Sequence, residues 1–113
     1  MREALLPWQR VRVSGPSMVP TLRDGDTVLV RHGAAIRVGD LVLGRFRALP
    51  ARAVVKRAHH AVDGGWWLTS DNEYADGGSD MHGVADVDAR VVLVLRRAGA
   101  YGVRGLLPRR VRN

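Results

Sequence analysis

One serine in this chain is held more stiffly than a structural serine needs. Ser17 lies in the run Ser14-Gly15-Pro16-Ser17-Met18-Val19-Pro20-Thr21-Leu22, between a Gly-Pro corner and the turn residues Asp24-Gly25-Asp26. Glycine permits sharp bends and proline fixes φ, so the run predicts a rigid corner around one hydroxyl. That setting suits a nucleophile, and a serine nucleophile needs a base. Residue usage points to one. Of the 18 Lys and Arg residues only Lys56 is a lysine. Guanidinium does not lose its proton in a protein, so a basic site that must accept a proton cannot be built from arginine. A lysine can serve if burial lowers its pKa, because an unperturbed one is neutral only roughly one part in a thousand near about pH 7.4.

The elements that must carry these two residues are short. Apolar, β-branched segments broken by Gly, Asp and Pro read as strands: Thr27–Val30, Asp40–Phe46, Ala51–Val62, Trp66–Ser70 and Ala89–Arg97. Val62-Asp63-Gly64-Gly65-Trp66 reads as a tight hairpin turn. Asp24-Gly25-Asp26 and Val38-Gly39-Asp40 predict two similar turns. No long segment has helical periodicity; Met1–Gln9 suggests at most a short helical turn, limited by Pro7. The first strand is then expected near residue 13. Strand alternation puts Lys56 on one face with Val54, Ala58, His60 and Val62, an apolar setting that lowers a lysine pKa. Trp66 and Trp67 face opposite ways.

With 113 residues, 46% hydrophobic, the chain predicts one small globular domain. It has no cysteine, which excludes disulfides, thiolate metal sites and a cysteine nucleophile. The first residues lack the apolar stretch of a signal peptide, and the longest apolar run near the end, Val91–Leu95, is too short to span a bilayer. The expectation is a soluble, cytoplasmic protein without a membrane anchor. The net charge of +7 invites nucleic acid, but the arginines are spread along the chain and concentrate only in the Gly/Arg-rich end. A nucleic-acid surface is therefore not the expected role.

Ser17-Met18-Val19-Pro20-Thr21-Leu22, Gly25-Asp26, Gly39-Asp40, Lys56-Arg57, Asp71-Asn72 and Gly83 come in the order and spacing of the boxes of the signal peptidase I and LexA-like serine peptidase superfamily, which the chain resembles over about residues 13 to 95. The resemblance implies a mainly β fold, a coiled and partly closed antiparallel sheet. It also implies a Ser–Lys dyad with Ser17 as nucleophile and Lys56 as general base, and no cofactor. It divides the chain into a lead-in over 1–12, a peptidase domain over 13–97 and a basic tail over 98–113. Within the superfamily the Ser-Gly-Pro-Ser-Met-Val-Pro-Thr-Leu run, Val54-Val55-Lys56-Arg57, Gly65-Trp66-Trp67 and Gly77-Gly78-Ser79-Asp80 most resemble the maturation proteases of nickel-type superoxide dismutase. By that likeness the partner is a protein substrate, the N-terminal propeptide of the dismutase precursor. It would bind as an added strand beside Ser17, with Met18 and Pro20 as substrate contacts.

Departures from the pattern raise their own expectations. Asp76 stands where many signal peptidases carry a serine that supports the lysine, and a carboxylate there would raise the lysine pKa. Either Asp76 points away or Ser79 supplies the support; Asp80 belongs to the same altered stretch. Gly15 offers no hydroxyl to an oxyanion hole, which leaves the Ser17 N–H, with Ser14 beside it. Asp71 reads as a turn residue. Other assignments compete: a triad of Ser17, His59 or His60 and Asp71; a metal site from His59, His60 and His82, opposed because neighbouring strand residues point apart; a protease of another substrate; and a basic β module that binds nucleic acid or a protein, which leaves the Ser17 and Lys56 boxes without a role.

Overall fold

The computed structural model describes residues 7–75, 77–97 and 109–112. In chain order these form β1 (Trp8–Ser14), β2 (Thr27–His32), β3 (Leu41–Phe46), β4 (Val54–Val62), β5 (Gly65–Thr69), a single helical turn α1 (Ser79–His82), β6 (Ala85–Arg96) and β7 (Arg109–Arg112). β1 pairs with β2, β2 with β6, β6 with β3 and β3 with β4, all antiparallel, while β5 bridges β4 and β6. The result is a mainly β, partly closed ring, as the sequence predicts. Its two ends are β1 and β4. The short β7 lies between them, parallel to both.

The alternation of the strands explains the core. Val11, Val13, Val28, Val30, Leu43, Val55 and Ala89 meet Met18 and Leu22 in one cluster; Val42, Phe46, Val54, Ala58, Leu68 and Ala85 form a second. β3 and β4 each contribute to both, so this strand pair is buried on both faces. Each fully buried Val or Leu side chain contributes about 1.5–3 kcal/mol. On β6, Val91 and Val94 pack toward the first cluster, but Leu93 and Leu95 are exposed.

The predicted hairpin between β4 and β5 forms, with Val62 opposite Gly65 and left-handed backbone at Asp63 and Gly64. The two Gly-Asp turns are alike in detail. Asp26 and Asp40 each donate their N–H to the carbonyl three residues back, of Arg23 and Arg37, at 3.0 Å. Each carboxylate accepts the N–H of the same arginine at 2.9 Å, and Gly25 and Gly39 have φ of 92° and 96°, where a side chain would be strained.

Two expectations change. The first strand begins at Trp8, not near residue 13, because Val11 and Val13 alternate with Arg10 and Arg12 at strand period; residues 1–6 of the expected helical turn lie outside the described residues. Four residues of the basic tail, 109–112, are strand, while 98–108 and 113 also lie outside the described residues.

Candidate functional site

Ser17 follows the end of β1 directly. Gly15, at φ 91°, turns the chain out of the strand, and its N–H is held by the Asp24 carboxylate at 2.9 Å. After Ser17 the loop is pinned from inside. Met18 is fully buried, Leu22 donates its N–H to the Met18 carbonyl, and the Asp71 N–H contacts the Met18 sulfur at 3.4 Å. Met18 therefore supports the loop from the core and does not face a cleft. Pro20, behind a cis peptide bond, is exposed.

The Asp71-Asn72 pair clamps this loop from the other side. The Asn72 backbone N–H donates to the Ser17 carbonyl at 2.8 Å, and its side-chain amide donates to the Pro16 carbonyl at 3.0 Å. Asp71 accepts the Thr21 hydroxyl and a two-point ion pair from Arg57, which also holds the Gly39 carbonyl. Burial pushes the Asp71 carboxyl up, but the Arg57 and Thr21 hydrogen bonds outweigh it and hold the group below its usual range. Asp71 thus ties Ser17's loop, through Thr21, to β4, through Arg57, and Arg57 extends the tie to the Gly39-Asp40 turn before β3; the sequence predicted only a turn residue.

Lys56, on β4, points with Val54 and Ala58 and is 1% exposed, while Ser17 is 2% exposed. The Lys56 Nζ donates to Ser17 Oγ at 2.8 Å and to Ser70 Oγ at 2.9 Å. Burial lowers the lysine pKa from the ordinary 10.5 to about 8, against a smaller upward pull from the Asp80 carboxylate. At a pKa of about 8, roughly one lysine in five is neutral near pH 7.4. A neutral amine at these distances can accept the Ser17 proton while still donating to Ser70. A hydroxyl with a base at hydrogen-bond distance is the arrangement of nucleophilic catalysis. Among the described residues the Ser17 N–H donates to no backbone acceptor.

Other residues fall elsewhere. Ser79 is buried, but its hydroxyl accepts the Leu68 N–H at 2.7 Å and holds α1 to β5; the second hydroxyl on the lysine is Ser70. Asp76 lies outside the described residues. His59 and His60 are exposed and neither meets Ser17. Their Nδ1 atoms do approach to 2.8 Å, contrary to simple alternation, because a bulge between Ala58 and His60 turns the rings together. Trp67 stacks on His60, and Trp66 packs on the second core cluster. No group of three or more His, Cys, Asp or Glu residues suited to a metal occurs among the described residues. No helix there is long and apolar enough to cross a membrane.

A cleft of about 250 Å³ opens beside the pair, between the end of β1 and the start of β4. Ser14, Gly15 and Pro16 line one side, Val54 and Lys56 the other, and Gly77 the end near the lysine. A side chain at Gly77 would start 3.4 Å from Nζ, at a φ of 114° that already disfavours one. Sequence reading missed Ser70 and Gly77; the signal for Ser70 was its place just before Asp71-Asn72.

A partly closed β ring that presents a buried lysine to a serine at a strand-end corner defines a serine peptidase-like fold. The model of the Peptidase S24-like family matches residues 9–84, two thirds of the chain, and the chain belongs to that family. A search of curated proteins found no match to the chain.

Proposed function

We propose that the chain is a serine endopeptidase with a Ser17–Lys56 dyad, and that it removes the N-terminal propeptide of a nickel superoxide dismutase precursor. The observation that carries the catalytic reading is the 2.8 Å contact between Ser17 Oγ and a buried lysine whose pKa is about 8. Ser17 Oγ attacks the scissile carbonyl carbon while its proton passes to Lys56 Nζ. The oxyanion takes the Ser17 N–H, with Ser14 at the cleft wall beside it. The tetrahedral intermediate expels the amine, which takes the proton from Nζ. Water, deprotonated by Lys56, then hydrolyses the ester and restores the serine. Ser70 orients Nζ throughout. The substrate reading rests on the Ser-Gly-Pro-Ser-Met-Val-Pro-Thr-Leu, Val-Val-Lys-Arg and Gly-Trp-Trp likeness alone. Purified chain incubated with the dismutase precursor tests both parts, read by mass spectrometry. The wild type is expected to release one propeptide, and Ser17→Ala none. Cleavage by the alanine variant would overturn the dyad. An intact precursor with wild-type chain that cleaves other peptides would move the assignment to a protease of another substrate.

A further inference from the structure

A polypeptide that adds as a strand beside Ser17 would lie between β1 and β4, and that slot already holds a strand. β7 pairs with β1 over four residues, from Val11 opposite Arg109 to Ser14 opposite Arg112, and meets β4 where Val54 faces Arg112. Its direction is informative. A serine attacks the carbonyl at the carboxyl end of the acyl segment, so that segment must run along β1 with its carboxyl end toward Ser17. β1 itself runs toward Ser17, and β7 is parallel to it. A substrate strand in this slot and β7 therefore share place, polarity and backbone partners, and cannot both be present. With β7 paired there, the backbone of β1 over residues 11–14 and of β4 at Val54 is already engaged.

We propose that residues 109–112 are an intramolecular occupant of the substrate slot, standing where the acyl-side strand of a substrate would stand. This rests on the reading of Ser17 as nucleophile. The slot accordingly recognises an extended peptide backbone parallel to β1 and β4, and a substrate enters by displacing β7. The pairing is short, four residues on β1 and one on β4. A weakly held strand still competes well in cis, because a short tether gives an effective concentration of the order of millimolar.

Binding, not cleavage, is the decisive measurement, so that a failed peptidase reading cannot be mistaken for a failed occupant. A fluorescent peptide of residues 105–113 is titrated into the full chain and into the full chain carrying R110P and R112P, which remove two backbone donors from β7. Amide hydrogen exchange is followed in both. The proline chain is expected to bind the peptide at least about ten-fold more tightly. Faster exchange is expected in residues 11–14 and 54, reversed by added peptide, with the core of β2, β3 and β6 unchanged. Equal peptide affinity for the two chains overturns the proposal. So does faster exchange throughout β2, β3 and β6, which would make β7 a structural member of the ring.

Discussion

Lys56 is asked to be two things, buried and basic, and the tension between them is measurable. Its desolvation is what brings the pKa to about 8, and Asp80 keeps it from falling further. Because the chain contains a single lysine, a ¹³C,¹⁵N-lysine-labelled sample should show one side-chain signal whose Cε shift titrates near pH 8; titration above pH 10 would remove the base. Cleavage should rise with pH through the same range, since the neutral amine is the active form. Lys56→Arg fits the charge but not the chemistry. Guanidinium stays protonated, so the rate should drop by at least about 100-fold. Ser70→Ala tests the second hydroxyl. Losing a hydrogen bond to a charged group costs about 1.5–3 kcal/mol, so kcat should fall roughly ten- to hundred-fold with the lysine titration displaced, and Ser70→Thr should restore it. Unchanged kinetics in the alanine variant would leave Ser70 a bystander.

At the scale of elements, the sequence disclosed the strands, the hairpin and the Ser17 and Lys56 boxes, and the reason is local. Turn residues and β-branched runs carry their structure with them. It did not disclose which residue across the hairpin also meets the lysine, because that depends on register. Continuing the turn pairing of Val62 with Gly65 down the hairpin would bring Asp71 opposite Lys56. The bulge at His59 slips the register by one, Arg57 pairs with Thr69, and the next position opposite Lys56 is Ser70. One extra residue thus exchanges a carboxylate for a hydroxyl beside the base and frees Asp71 to hold Arg57 and Thr21. The β1 strand was partly concealed because its only fully buried positions are two valines, alternating with Arg10 and Arg12 and behind an exposed Trp8. Gly77 was concealed because a loop glycine has no pattern. Its part can be tested against a control. Gly77→Ala and Gly83→Ala both place a side chain at positive φ, at 114° and 82°, and should each cost about 1–3 kcal/mol in urea unfolding. Only at Gly77 does the new methyl reach Nζ; nothing lies within 4 Å at Gly83. Cleavage by the folded protein should therefore fall in the first variant and persist in the second.

For the whole molecule, the buried lysine sets how stability depends on pH. In the unfolded chain Lys56 titrates near its ordinary 10.5; in the folded protein it titrates near 8. Below pH 8 both states hold the proton, and folding carries the full cost of burying an ammonium. Above 10.5 both are neutral and that cost is gone. Between the two values the unfolded state binds more protons, so the free energy of unfolding must rise with pH across that window. A shift from 10.5 to about 8 corresponds to about 3 kcal/mol. That is a large fraction of the ~5–15 kcal/mol typical of a small domain. The chain is suited to the measurement, with one lysine and no cysteine to titrate beside it. Urea unfolding at pH 7, 8, 9 and 10 should show the wild type gaining stability up to about 3 kcal/mol, most of it above pH 8. Lys56→Met removes the charge while keeping much of the side-chain volume, so its stability should be higher at pH 7 and nearly flat across the same range, at the cost of all cleavage. A wild-type curve as flat as that of the methionine variant would mean that the lysine carries no burial penalty, and the account of how it becomes a base would fall with it.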